Sequence, residues 1–252
     1  CLFLYASIVD QFFTLKDFNV FYHSVTCGIP AQCFSVSSIV NYLLGVDGAE
    51  PPLVTLYFSI MYKLFWLNQV MYHSVSIALN FAMAFTVFIF TKKILKKTML
   101  AGFAGFLFLV SASTFQSTSS ISFIGVIASS LFAFLSLTFY AEWYSKRKLV
   151  FYVLSVVASI ASILFGATGV IIPLLLVSYT LLIERKKVFD ILSSIYFWIV
   201  SIPSLTYMLF QAIGTVTHKS TLGMSGIESG WIVFVNTVMS IPSVVLGENM
   251  TS

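Results

Sequence analysis

Long apolar runs separated by short polar turns set the pattern of this chain. Val70–Phe90 is almost free of charge and stops at Lys92-Lys93 and Lys96-Lys97. At a rise of about 1.5 Å per residue it is long enough to cross a hydrocarbon layer. Just upstream, Pro51-Pro52 can only open a helix, because proline fixes φ and has no N–H to donate. The aromatic-rich segment Leu53–Phe65, broken by Lys63, follows, and Asn68-Gln69 reads as a polar hinge. Further apolar runs are Met99–Phe115, Ile121–Tyr140, Leu149–Phe165, Ala167–Ile183 and Val188–Phe210, the last with a predicted kink at Pro203. Trp231–Leu246 carries Asn236 and Pro242 and reads as a weak span or a re-entrant segment. Ser35–Leu44 has the spacing of a short amphipathic helix with Ser35 as its N-cap. The pattern predicts an all-α fold: a polytopic transmembrane bundle of about six to eight membrane helices. Residues 1–50 form an outer-face loop region with the short amphipathic helix, and residues 51–252 form the bundle.

Composition sharpens this. Only 9% of the chain is charged and 59% is hydrophobic, against about 25% charged in an ordinary soluble domain. The net charge of +4 does not point to nucleic acid, because the cations cluster in three turns: Lys92–Lys97, Lys146–Lys148 and Arg185–Lys187. Cations flanking spans mark the cytoplasmic side. Two apolar runs separate each cluster from the next, so each hairpin returns the chain to the same face. Phe115–Ser120, Phe165–Thr168, Asp10–Glu50 and Gly214–Ser229 then fall on the outer side. Cys1 in place of Met reads as a fragment or a missing start, with a lipobox cysteine as the alternative. On an oxidising outer face Cys27 and Cys33 are a disulfide candidate, two unpaired thiols being the alternative. Asn249-Met250-Thr251 matches a glycosylation triplet.

Candidate chemistry is sparse. His23, His73 and His218 are far apart, and neither metal-ligand spacing, a phosphate loop nor a nucleophile elbow is present. The outer carboxylates Asp10, Asp17, Asp47, Glu50 and Glu228 read either as a general base or divalent-metal ligands, or as solvated loop carboxylates. Glu142, Glu184 and Asp190 lie beside the basic clusters as their partners. Tyr72-His73, at the outer start of a span, is a site candidate or an interfacial belt pair. Ser76 and Asn80 follow His73 by one and two helical turns, so the three share a face that is expected to pack inward. Gly102 and Gly105 read as close-contact positions between helices. No span carries the buried charge expected of a coupled transport pathway.

The order of parts resembles the C-type glycosyltransferase membrane fold, closest to the protein O-mannosyltransferase-like family. Pro51-Pro52-Leu53-Val54-Thr55-Leu56 is similar to that family's Arg-Pro-Leu-Thr loop exit. Tyr72-His73 followed by Asn80 is similar to its Gly-Tyr-His…Asn run, and Pro173-Leu174-Leu175 to its Pro-Leu-Leu. The likeness covers roughly Asp10 to Lys187. It implies sugar transfer from a polyprenyl-phosphate donor to a protein acceptor on the outer or luminal face. Asp47 and Glu50 would then be base or metal candidates, Tyr72 and His73 would line the pocket, and His218 and Lys219 would meet phosphate. The departures are specific. Ser111–Gln116 stands where the family has His-Pro-x-His-x-Glu. Ile124 and Val126 stand for its Arg and Asp, and Phe165-Gly166-Ala167 for its Ser-Lys-Glu. The family's paired acids would fall at or before Cys1. Such a transferase needs a carboxylate for the acceptor and cations or a metal for the leaving phosphate. Their replacement sets up the alternative: an inactive scaffold, or a subunit that packs with a membrane partner.

Overall fold

Helices begin where the local chemistry sets them. A computed structural model of the protein describes residues 13, 17, 18, 35–46, 49–111, 118, 120–182 and 194–219, with 215–219 described by backbone alone. Helix α1 is Val36–Leu43; the Ser35 Oγ accepts the Ser38 N–H at 3.2 Å, and Gly45 (φ 65°) ends it. Helix α2, Pro52–Phe65, starts on the double proline and runs straight through Lys63, which does not break it because its side chain is exposed. Trp66 turns the chain at φ 52°, extended Asn68 precedes α3, Gln69–Leu95, and α4 is Thr98–Val110. A 3-10 turn, Ile121–Phe123, leads into α5, Ile124–Lys146, which returns as α6, Leu149–Phe165. A second 3-10 turn, Ala167–Ile171, leads into α7, Ile172–Leu182, and α8 is Ile195–Lys219 with Pro203 inside it.

Every element among the described residues is helical. Three stretches are long and apolar enough to cross a membrane: Gln69–Leu95, Ile121–Lys146 and Ile195–Gly214. Helices α2, α4, α6 and α7 are apolar but shorter. Within the Met99–Phe115 run, α4 ends at Val110 and residues 112–115 lie outside the described residues, as do the first part of Val188–Phe210, Arg185–Lys187 and Trp231–Leu246.

Lys96 and Arg147, both left-handed at φ 54° and 55°, end α3 and α5. Glu142 on α5 ties these turns together. It pairs with Lys146 one turn on (2.9 Å) and with Lys93 of α3 (3.3 Å). The basic turns after α3 and α5 therefore share one end of the bundle, the basic end. An aromatic layer sits there, with the Trp143 ring 5.2 Å from Tyr152 and 4.8 Å from Tyr196.

Between α5 and α6 the packing is set by serines spaced seven apart. Ser136 and Ser155 each donate to the other's carbonyl, at 2.9 and 2.8 Å. Two turns away Ser162 donates to the Ser129 carbonyl at 2.7 Å, and Ser129 to the Gly166 carbonyl at 3.0 Å. Helix α8 joins the same lattice: Ser159 donates to the Val200 carbonyl and Ser204 to the Gly169 carbonyl. Pro203 removes one backbone donor from α8, and the Ser159 hydroxyl meets the chain one turn above it. Such hydroxyls let helices approach closely and keep their polar atoms satisfied inside an apolar bundle. A double-mutant cycle on Ser136→Ala and Ser155→Ala is expected to give a coupling of about 0.6 kcal/mol; additive losses in thermal unfolding would remove the interhelical role.

Of the two glycines read as close contacts, only one is. Gly105 packs on α3, where an added Cβ would lie 3.2 Å from the Ala84 carbonyl oxygen; at Gly102 it would meet open space. The reason is spacing: Ala101 and Gly105 share the face buried on α3, and Gly102 is one residue off it.

Candidate functional site

The end of the bundle away from the basic turns after α3 and α5 holds the polar candidates. Helix α3 turns His73, Ser76 and Asn80 inward, and all three are almost fully buried. The shared face predicted from their spacing is therefore real. Asn80 Nδ2 donates to Thr118 Oγ1 and to the Ser76 carbonyl (3.3 Å), while Ser76 Oγ has no hydrogen-bond partner among the described residues. Tyr72 is wholly buried, and its hydroxyl donates to the Trp66 carbonyl at 2.9 Å, which fixes the α2–α3 hinge. Its ring stacks on Phe58 (6.1 Å) and meets Phe13 edge-on (5.8 Å). Tyr72 thus belongs to an apolar core with Val54, Phe58, Met61, Ile121 and Ile124. This placement replaces the interfacial belt alternative, in which the pair would be exposed.

Asp17 is not a solvated loop carboxylate. It is 1% exposed, and its Oδ1 accepts the Ser122 N–H at 2.7 Å and the Ser120 hydroxyl at 3.1 Å. The first turn of a helix has unsatisfied N–H groups and a positive dipole end, so a carboxylate is favoured there. Asp17 thus caps the 3-10 turn that leads into α5.

A second polar group joins α1, α6 and α8. Tyr42 donates to the Ile163 carbonyl at 3.1 Å and packs on Tyr207 at 5.4 Å, while Gln211 Nε2 donates to the Tyr42 carbonyl at 3.2 Å. Burial pushes the Tyr42 hydroxyl far above the usual phenol range, and Tyr207 and Glu50 add to it. The raised value keeps the hydroxyl protonated through the ordinary phenol range, so the stability this tether contributes is fully present below that range and is lost as pH rises from it toward the raised value. Glu50 is half-buried within electrostatic reach of Tyr42.

The predicted site residues are thus divided. Tyr72 and His73 lie in the α3 cluster, and Glu50 lies in the Tyr42 group. His218 and Lys219 fall in helical backbone at the end of α8, not in a loop beginning at Gly214. The helix persists because α1 holds it there: Gln211 bonds Tyr42 and Gly214 lies against the Leu44 carbonyl. Asp47, Cys27 and Cys33 lie outside the described residues, as do Asp10, His23 and Glu228. Among the described residues no three His, Cys, Asp or Glu side chains gather as a metal-ligand set. The sequence reading missed Thr118, Ser120 and Ser122 as partners; no spacing signal links them to Asp17 or Asn80.

The class this defines is an all-helical protein, over its described residues, with helices suited to a membrane and a buried polar cluster at one end. The chain matches no family model, no curated protein and no solved structure.

Proposed function

We propose that this is a polytopic membrane protein, with about six to eight membrane helices and a C-type glycosyltransferase-like scaffold, that serves as a non-catalytic subunit or scaffold. Its basic turns face the cytoplasm. The observation that supports this reading is the use made of Asp17. The buried carboxylate of the described far end is spent as a helix cap on Ser120 and Ser122. Asn80 is likewise tied to Thr118. Groups committed to internal bonds hold helices together; a general base must instead lie within hydrogen-bond reach of a substrate proton.

A second reading, sugar transfer from a polyprenyl-phosphate donor, draws on Glu50. That carboxylate is half-buried beside Tyr42, directly before the double proline. In this reading Asp47 and Glu50 act as base or hold a divalent metal, and His218 with Lys219 meets the donor phosphate. One assay separates the two. Purified protein is given a polyprenyl-phosphate sugar and an acceptor peptide, with and without divalent metal. The scaffold reading expects no transfer. Transfer that disappears in Asp47→Ala or Glu50→Ala would overturn it and establish the enzyme.

A further inference from the structure

We propose that the basic turns after α3 and α5 together form a headgroup site for an anionic phospholipid. The inference deepens the membrane reading above and rests on it. Seven cations lie on these two turns and the helix ends leading into them: Lys92, Lys93, Lys96, Lys97, Lys146, Arg147 and Lys148. Glu142 is the carboxylate facing them among the described residues, and it is already engaged by Lys93 and Lys146. That leaves Lys92, Lys96, Lys97, Arg147 and Lys148, all exposed, with a large excess of positive charge. The Lys93–Glu142–Lys146 link holds the two turns side by side, so their charges act on one volume.

The local backbone adds to this. Helices α4 and α6 start directly at these turns, at Lys97 and Lys148. Neither start has a side-chain cap or an acidic residue in its first turn. Their first N–H groups and positive dipole ends point to the same end as the cations. Arg147 is held over the rings of Trp143 and Tyr144, at 5.4 and 4.8 Å, which orients its guanidinium at the aromatic layer.

The wall below the cations decides the ligand. Leu95, Met99 and Leu100 flank the first turn, and Leu149, Val150 and Val153 flank the second; all six are exposed, Met99 at 90%. A soluble phosphate would use the cations and leave this wall bare. A phospholipid covers both, with its phosphate on the lysines and its acyl chains along the helices. Basic pockets between membrane helices are suited to such headgroups.

The test uses the full chain in nanodiscs of phosphatidylcholine with a minority of phosphatidylglycerol. The lipid retained after detergent extraction and affinity capture is then quantified. Phosphatidylglycerol is expected to be enriched on the wild-type protein and not displaced by inorganic phosphate. One lysine near an anionic surface weighs about fivefold in partitioning. Replacing Lys92, Lys96, Lys97 and Lys148 by Gln should therefore cut the enrichment at least roughly tenfold, and Arg replacements should keep it. Equal retention by a Gln variant with wild-type helical circular dichroism overturns the proposal, and so does displacement by phosphate. Should the fourfold variant fail to fold, Lys97→Gln and Lys148→Gln singly must each show a partial loss. Release of the chain from membranes by alkaline carbonate would sink the membrane reading itself. Retention in the membrane without lipid preference sinks the headgroup site alone.

Discussion

Gly125→Val is expected to lower the stability of the bundle by about 3 kcal/mol and to loosen its far end. Gly125 is in the first turn of α5. A Cβ there would lie 2.7 Å from Val54 Cγ2 and 2.8 Å from the Phe165 carbonyl oxygen. The first contact is with a side chain that can shift. The second is with the backbone that ends α6, and it cannot shift without moving the helix. Two effects oppose each other. Replacing a helical glycine gains about 1 kcal/mol for alanine and less for β-branched valine, while overpacking a tight site costs about 1–3 kcal/mol or more. The backbone contact makes the cost win, moderately for alanine and fully for valine. Thermal unfolding in detergent is the check; a valine variant as stable as wild type would show that α2, α5 and α6 are not packed this closely.

Asp17→Ala is expected to cost about 2 kcal/mol, the range for losing a charged helix cap with two accepted bonds. The loss should be local. Amide hydrogen exchange at Ser122–Gly125 should speed up by about thirtyfold, the equivalent of that energy. Asp17→Asn keeps one acceptor oxygen and should fall between the two. Unchanged exchange at these amides in the alanine variant would mean that the Asp17 carboxylate is not what holds the start of α5.

These two residues also mark what a sequence does and does not make legible. Ser35 and Pro51-Pro52 act on neighbours within a few positions, so their helix starts could be read directly. His73, Ser76 and Asn80 lie on one helix, and the 3.6-residue period brings them to one face without any tertiary knowledge. Asp17 and Ser122 are 105 positions apart, and Asn80 and Thr118 are 38 apart. Nothing local distinguishes a carboxylate that will cap a distant helix from one left in solvent. The serines were a different kind of omission. The spacing of seven between Ser129 and Ser136, and between Ser155 and Ser162, is visible in the chain. It passes as filler in an apolar run unless the two runs are set antiparallel. The orientation of the site candidates was also beyond reach: burial removed Tyr72 from the surface, and contact with α1 carried the helix of His218 past Gly214.

The serine pairing of α5 with α6 has a consequence for how the protein is built. Its bonds join residues 19 and 33 positions apart, across a turn of only Arg147-Lys148. Contacts this local close quickly, because little chain entropy is lost. The bonds from Ser159 to Val200 and from Ser204 to Gly169 need a third helix that is synthesised later. The α5–α6 hairpin is therefore expected to form first as a self-sufficient pair. Until α8 arrives, the Ser159 hydroxyl lacks the Val200 carbonyl, and the Gly169 carbonyl has only the Ile172 N–H. The order of synthesis then matches the order of need, with the early pair serving as the template on which the late helix docks.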